Sequence, residues 1–138
     1  MSVRMNENTT TSALVAGCTA SSNGFDCLFC DHHTEQGRVY PLGDELVDAE
    51  LAMRRHLETE HGSVFEALLA LGKKGTGLSD IQRGLLGHLH GGLPDKQIQP
   101  LMGGVSLSTI RNHRYNLREK ARQAKVFLAL MELLEKGA

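Results

Sequence analysis

Long apolar runs are absent from this sequence. No stretch approaches the roughly 18 consecutive apolar residues that a membrane-spanning helix needs, so the sequence predicts no membrane contact. The apolar segment 13–16, which precedes Gly17 and Cys18, is also shorter than the roughly 7–15 apolar residues at the centre of an export signal. We therefore expect a cytoplasmic protein whose residues 1–23 form a flexible polar tail.

The sequence also lacks the length and the motifs of a typical enzyme. Its 138 residues, 41% of them apolar, suffice for one ordinary domain or two very small ones with a modest core. The glycine-containing segment 73–77 is not followed by the Gly-Lys-Ser/Thr of a phosphate-binding loop, and we predict a linker there. We expect that the protein is not an enzyme. A redox or zinc enzyme would need a reactive thiol or an open metal position.

The sequence has almost no net charge, but its charged residues are unevenly distributed along the chain. The net charge is -1, yet the part before Leu78 has six Lys/Arg against eleven Asp/Glu, and the remainder has nine against five. These parts therefore carry -5 and +4. Such an asymmetry is typical of proteins whose basic part contacts nucleic acid, while the acidic part would repel phosphates.

Cysteines are few, and two of the three form a close pair. Cys27 and Cys30 have C-x2-C spacing, and His56 and His61 have H-x4-H spacing, both typical of tetrahedral zinc sites. Four such ligands leave no open coordination position, so we predict that these residues bind a structural zinc ion. The alternative is a pair of reduced thiols with unrelated surface histidines. We predict that Cys18, outside this spacing, is a bystander in the tail.

The two pairs resemble those of a Cys2His2 zinc finger. Between them lie the 25 residues of segment 31–55, about twice the usual span, and His32 and His33 are therefore candidate substitute ligands. The predicted helix that carries the histidine pair is rich in Asp and Glu. We expect it to serve as a scaffold or a protein contact rather than a surface for phosphate.

Capping residues and glycines predict a largely helical chain. The predicted helices span residues 44–61, 64–71, 79–90 and 94–102. Residues 107–136 contain no glycine or proline, which permits either one continuous helix or two.

The segment VSLSTIRNHRYNLREK, residues 105–120, combines an apolar stripe with a basic face. At helical spacing Ile110 and Leu117 fall on one side of the helix. Arginine and asparagine on the other side can neutralise phosphates or contact base edges in a major groove. A solvated amphipathic helix is the alternative. The polar face and its flanks carry Ser108, Arg111, Asn112, Arg114, Tyr115 and Arg118.

A short helix, a glycine turn and a basic helix together have the layout of a helix-turn-helix. Residues 78–121, LSDIQRGLLGHLHGGLPDKQIQPLMGGVSLSTIRNHRYNLREKA, resemble the LuxR/GerE-type DNA-binding domain of bacterial transcription regulators. The matching positions are Leu78, Ser79, Gly92, Leu93, Lys96, Ile98, Ser106, Thr109, Ile110, His113, Leu117 and Lys120.

This resemblance implies roles for individual residues. Lys96 would contact the DNA backbone, and His113 would help to seat the recognition helix. The residues facing bases or nearby phosphates would be Ser108, Thr109, Arg111, Asn112 and Tyr115.

The segment departs from the family in two places. Gln99 stands where the family has a small residue, and it is followed by Pro100, which has no amide to donate to the carbonyl of Lys96. Gly103 and Gly104 make the turn one residue longer than usual. Both departures bear on the angle between the two helices, and with it on the set of base contacts.

The last predicted helical segment, residues 124–134, is apolar around most of its circumference. One helix in so small a domain cannot bury all of that surface alone, so we predict a homodimer formed through this segment. Two-fold pairing would present two basic helices to adjacent major grooves. The alternative is burial of the segment against the zinc module.

Together these patterns predict a mainly α fold: a small zinc-stapled N-terminal module, then a helix-turn-helix bundle with a long C-terminal helix. The predicted function is a sequence-specific transcription regulator that binds double-stranded DNA. The rival hypothesis is a zinc-containing protein-interaction adaptor that does not bind DNA. The predicted divisions are the tail (1–23), the zinc module (24–72), the linker (73–77), the helix-turn-helix domain (78–121) and the dimerisation helix (122–138).

Overall fold

In the computed structural model, which describes residues 2–137, the chain forms two compact units that divide between Leu78 and Ser79. The fold is mainly α, as predicted, with all strands of the described residues in the N-terminal unit. Each unit has its own hydrophobic core. No helix within residues 2–137 is long and apolar enough to cross a membrane.

The N-terminal unit packs one long helix against a small sheet. Its elements are α1 (Thr11–Ala16), β1 (Cys18–Ser21), β2 (Gly24–Cys27), β3 (His33–Glu35), β4 (Tyr40–Leu42), β5 (Glu45–Val47), α2 (Ala49–His61), α3 (Val64–Leu69) and α4 (Gly72–Thr76). The first three strands form an antiparallel sheet in the order β1-β2-β3, and β4 pairs antiparallel with β5. Cys27, Met53 and Leu57 form the core between the sheet and α2.

The predicted polar tail is wrong for residues 11–21, which form α1 and β1. Thr10 begins α1 by accepting a hydrogen bond from the amide of Ala13 at 3.0 Å. The strand β1 then pairs with β2 across a tight turn. A four-residue strand is too short to show clear alternation, so its pairing was not visible in the sequence.

Two further boundaries differ from the sequence prediction. The helix expected from Asp44 begins at Ala49, because Asp48 caps it by accepting from the amide of Leu51 at 2.9 Å. Both aspartates are good caps, and β5 occupies the stretch between them. The expected linker over residues 73–77 is also wrong, since α4 covers most of it.

The C-terminal unit consists of three helices, α5 (Asp80–His90), α6 (Asp95–Leu101) and α7 (Leu107–Glu135). Leu85, Ile98 and Ile110 contribute one fully buried side chain from each helix. The predicted capping box is confirmed, with hydrogen bonds in both directions between Ser79 and Gln82. Residues 107–135 form one continuous helix, which settles the alternative that the sequence left open.

The turn between α6 and α7 contains the two departures from the family pattern. Pro100 lies inside the last turn of α6. Gly103 and Gly104 both have φ of +77°, a conformation that L side chains rarely adopt. Gln99 closes this turn, since its side-chain amide donates to the carbonyl of Val105 at 2.9 Å. Ser106 caps α7 by accepting from the amide of Thr109 at 3.2 Å.

Candidate metal centre and candidate nucleic-acid interface

The four predicted metal ligands come together in the N-terminal unit. One ligand atom from each of Cys27, Cys30, His56 and His61 lies within 4.8 Å of all the others. The Sγ of Cys27 is 3.5 Å from His61 Nε2, and the Sγ of Cys30 is 3.1 Å from His56 Nε2. Zinc bonds of about 2.3 Å to sulfur and about 2.0 Å to nitrogen give a tetrahedron whose S···N edges are about 3.5 Å. The group therefore fits a tetrahedral metal ion.

Two elements position this group. Cys27 is the last residue of β2, and Cys30 follows in the turn toward β3. His56 and His61 lie on the last turns of α2, with ring centroids 5.1 Å apart. Gly62, at φ +77°, ends the helix immediately after the second histidine. The sheet and α2 pack over the shared core, so the same packing that buries Met53 brings the cysteine and histidine pairs together.

Backbone amides support the two sulfur atoms. The amide of Phe29 donates to Cys27 Sγ at 3.3 Å, and the amide of His32 donates to Cys30 Sγ at 3.5 Å. Each donor comes two residues after its cysteine, so the turn wraps around the sulfur atoms. Hydrogen bonds to the charged form favour a thiolate, the form of cysteine that binds metal.

Burial shifts the pKa values of two of the ligands in opposite directions. Burial raises the pKa of the Cys27 thiol, while the hydrogen bond from the Phe29 amide lowers it. Burial, together with positive charge on His32 and His61, lowers the pKa of the His56 imidazole. A lowered histidine pKa favours the neutral ring, which is the form that ligates a metal.

The candidate substitute ligands lie outside the group. The ring of His32 stacks on that of His56, with centroids 3.9 Å apart and planes inclined by 10°. His33 Nδ1 is 2.8 Å from the carboxylate of Asp26. His32 therefore packs against a ligand ring, and His33 pairs with a strand neighbour.

Cys18 does not belong to a polar tail. It is half-buried on β1, packs against the core cluster around Met53, and lies opposite Cys27 in the sheet. Burial raises the pKa of its thiol, and the nearby charge of Glu50 adds to that shift. The number of residues between Cys18 and Cys27 did not predict that the two would lie opposite each other. Strand pairing, rather than helical or turn spacing, brings them together.

In the C-terminal unit, the N-terminal half of α7 has one buried and one exposed side. Ile110 is fully buried in the core, and Leu117 is half-buried against it. Tyr115 has 58% of its surface exposed, on the side turned away from Ile110. Thr109 is half-buried beside the cap. The other exposed members of the predicted contact set are Ser108, Arg111, Asn112 and Arg118 on α7 and Lys96 on α6.

Arg114 is held by another helix of the same unit. Its guanidinium donates to the Asp95 carboxylate at 2.6 Å, and both side chains are partly shielded from solvent. Arg122 is likewise paired, donating to Glu119 at 2.7 Å. Sequence reasoning included Arg114 among the DNA contacts and missed Asp95, which lies 19 residues earlier with no local pattern linking the two.

The C-terminal half of α7 is exposed throughout the described residues. Seven large apolar side chains there have 40–71% of their surface exposed: Val126, Phe127, Leu128, Leu130, Met131, Leu133 and Leu134.

Comparison of the chain with protein-family models, with curated proteins and with solved structures returns no match.

Proposed function

We propose that the chain is a sequence-specific DNA-binding transcription regulator of the LuxR/GerE helix-turn-helix type, and that its N-terminal unit holds a structural zinc ion. The observation that carries the proposal is the exposed side of α7 opposite Ile110. It presents Asn112 and Tyr115, with Arg111 and Arg118 exposed on its flank, and neither arginine has an ion-pair partner within the described residues. Such a protein would act in the cytoplasm and would not be an enzyme.

Guanidinium groups that no carboxylate pairs are available to a polyanionic partner. Arginine can neutralise phosphates or donate two hydrogen bonds to a guanine, and asparagine can pair in the same way with adenine. A major groove about 12 Å wide admits an α-helix, and recognition helices contact bases through their N-terminal residues. Arg111 and Asn112 lie in the first turns of α7, after the Ser106 cap.

Among the cations of α6 and α7, ion pairing distinguishes two arginines from three of the predicted DNA contacts. Arg114 and Arg122 are engaged with carboxylates of the same unit. Lys96, Arg111 and Arg118 are exposed and have no such partner among residues 2–137. We therefore assign Arg114 to holding α7 against α6, and the second group to contacts with DNA.

Zinc is the metal that fits the donor set. Two thiolates and two imidazoles in a tetrahedral arrangement favour zinc over the oxygen-preferring Mg²⁺ and Ca²⁺. All four positions are filled by protein ligands, so the ion would fasten β2 to α2 rather than activate water. The four residues that would hold it are Cys27, Cys30, His56 and His61.

We further propose that the regulator is a homodimer formed through the C-terminal half of α7. Its seven exposed apolar side chains leave only a narrow polar strip, which includes Lys125 and Glu132. Pairing with the same segment of a second copy would remove both surfaces from water. A two-fold dimer would also present its recognition helices at half-sites about 34 Å apart.

DNA binding is tested by fluorescence anisotropy with labelled duplexes, first of random sequence and then from a binding-site selection, across a salt series. Log affinity should fall linearly with log salt concentration, and Arg111→Ala with Arg118→Ala should reduce the slope by about 0.9 for each phosphate that the variant no longer neutralises. Arg54→Ala, an exposed arginine on α2, is the matched control and should change neither quantity. No binding at low salt would reject the proposal in favour of a protein-interaction adaptor.

Dimerisation is tested by analytical ultracentrifugation of the full chain. The expected species is a dimer that Leu130→Glu converts to monomer, because a carboxylate would be buried in an apolar contact. Glu132→Gln, on the polar strip, should remain dimeric. A monomeric wild-type chain at all concentrations would contradict this part of the proposal.

A further inference from the structure

Cys18 and Cys27 stand directly opposite each other in the antiparallel pairing of β1 with β2. The amide of Leu28 donates to the carbonyl of Gly17 at 3.0 Å, and these two residues flank the cysteine pair. That bond marks Cys18 and Cys27 as a non-hydrogen-bonded pair, in which opposite Cα atoms lie about 4.5 Å apart. Disulfides span Cα separations of roughly 4.4–6.8 Å, so the backbone spacing suits a bond between them.

The two side chains also share a face of the sheet. Residues directly opposite in an antiparallel pair project to the same side. Both cysteines pack against the cluster formed with Met53 and Leu57 on α2, so that side faces the helix. All three cysteines of the chain are free thiols in the structure. Joining Cys18 to Cys27 would need side-chain rotation but no change in strand pairing.

Solvent reaches one member of this pair. Cys18 lines a cavity of about 580 Å³, bounded by α1, β1, β2 and α2 and including Ala13, Phe25 and Arg54. Cys27 is only 2% exposed and its sulfur is directed at the histidine pair. A small oxidant therefore has access to Cys18 from the cavity, whereas Cys27 is shielded from solvent.

We propose that Cys18 and Cys27 form an oxidation site, in which a hydroperoxide such as hydrogen peroxide drives a cross-strand disulfide that competes with metal binding. The disulfide itself follows from strand pairing and cavity access. Its effect on the metal rests on the zinc site of the proposed function.

The reaction has two steps. The Cys18 thiol first loses its proton, and the thiolate attacks one peroxide oxygen; the O–O bond breaks, and the released hydroxide takes up that proton and leaves as water. Because the pKa of the Cys18 thiol is raised, this step is slow and its extent depends on the peroxide dose. The Cys27 thiolate then attacks the sulfur of the resulting sulfenic acid, forming the S–S bond and expelling hydroxide. Two sulfur atoms together lose two electrons, and one peroxide is reduced.

Disulfide formation and metal binding exclude each other at Cys27. The thiolate is the form of cysteine that ligates a metal, and a sulfur committed to a disulfide is no longer one. Loss of Cys27 leaves three of the four ligands, so the ion would be held more weakly and would pass to a competing chelator. A thiol reductant would restore both the thiolate and the metal site.

The test is peptide mapping of the full chain after titration with hydrogen peroxide and blocking of the remaining thiols. Trypsin is unsuitable because no Lys or Arg lies between Arg4 and Arg38, which leaves all three cysteines on one peptide. Cleavage before Asp26 and before Asp31 separates Cys18 from the other two, and fragmentation of the peptide 26–30 in the mass spectrometer distinguishes Cys27 from Cys30. Released zinc is followed in parallel with a chromogenic chelator.

The expected result is a linked pair of peptides containing Cys18 and Cys27, with blocked Cys30 and release of zinc in step with the cross-link. Cys18→Ser, which keeps the side-chain size and is not one of the ligands, should lose the cross-link and retain zinc at the same peroxide dose. A bond between Cys27 and Cys30 alone, or equal zinc release from Cys18→Ser, would overturn the proposal. Elemental analysis before oxidation separately tests the zinc site, because the cross-link can be mapped with or without metal.

Discussion

The guanidinium of Arg114 on α7 donates to the carboxylate of Asp95 in the first turn of α6, with 2.6 Å between Nη1 and Oδ1. The bond joins α6 and α7, the two helices of the proposed helix-turn-helix, whose mutual angle it helps to fix. Both side chains keep some solvent contact, at 36% and 24% exposure, so the pair contributes modestly to stability.

Asp95→Asn should lower the free energy of unfolding by about 0.5–1 kcal/mol, since the ion pair is removed while side-chain size is kept. Thermal and urea unfolding of Asp95→Asn, Arg114→Gln and the double variant give the coupling energy. The double-variant cycle itself removes the general effect of an acidic residue at a helix N-terminus, because that effect is the same whether or not Arg114 is present. Strict additivity of the two single variants would show that the pair contributes nothing.

Gln99→Ala should destabilise the C-terminal unit by about 1 kcal/mol, because the carbonyl of Val105 loses a partly buried donor. Gln99→Glu should be at least as destabilising, since a carboxylate cannot donate there when ionised. Gln97→Ala, an exposed glutamine on the same helix, serves as the control. If neither Gln99 variant lowers the free energy of unfolding, the hydrogen bond from Gln99 to Val105 does not stabilise the turn.

Metal removal should destabilise the N-terminal unit specifically. A strong chelator, or Cys30→Ser, should lower its melting temperature and increase amide hydrogen exchange in β2 and α2, while α5 and α6 keep their protection. Acidification should act in the same direction, because protons compete with metal for thiolate and imidazole, and binding is recovered as the pH rises. Unchanged exchange in α2 after complete removal would contradict a structural role for the ion.

Gly24→Ala should be among the most destabilising single changes in the chain. An added Cβ would lie 2.0 Å from the backbone oxygen of Thr34, at a φ of +139°, so the β2–β3 pairing would have to open at a cost of about 3 kcal/mol or more. Gly37→Ala, where φ is +85° but no atom lies within 4 Å, should cost only about 1–2 kcal/mol. Equal melting temperatures for the two variants would argue against the close approach of Gly24 to the backbone of Thr34.

The sequence predicted the features that rest on short-range chemistry. Metal-ligand spacing identified the four residues that the fold brings together. Capping residues located α5, and the absence of glycine and proline allowed α7 to be continuous. Long-range strand pairing could not be read in the same way, because the short strands β1 and β3 have too few residues for an alternating pattern. That pairing, rather than local spacing, places Cys18 opposite Cys27.

The same distinction explains the outcome for Arg114. Helical spacing correctly put it at the flank of the polar face of α7, but its partner Asp95 lies on another helix. The packing of Ile98 against Ile110 decides that proximity. Ile98 lies three residues after Asp95 and Ile110 four residues before Arg114, so each pair shares one face of its helix, but no local pattern shows that these two faces meet. Residues that act within one element, and ligand pairs with a diagnostic spacing, were therefore predictable, whereas the contact between Asp95 and Arg114 on two helices required the fold.

Because α7 runs without interruption from Leu107 to Glu135, it has no hinge between its basic and apolar halves. At 3.6 residues per turn, one inserted alanine near Gln123 would rotate one half against the other by about 100°, whereas seven inserted alanines would nearly restore the original phase. The angular relation between the two halves of α7 is therefore set by the number of residues between them.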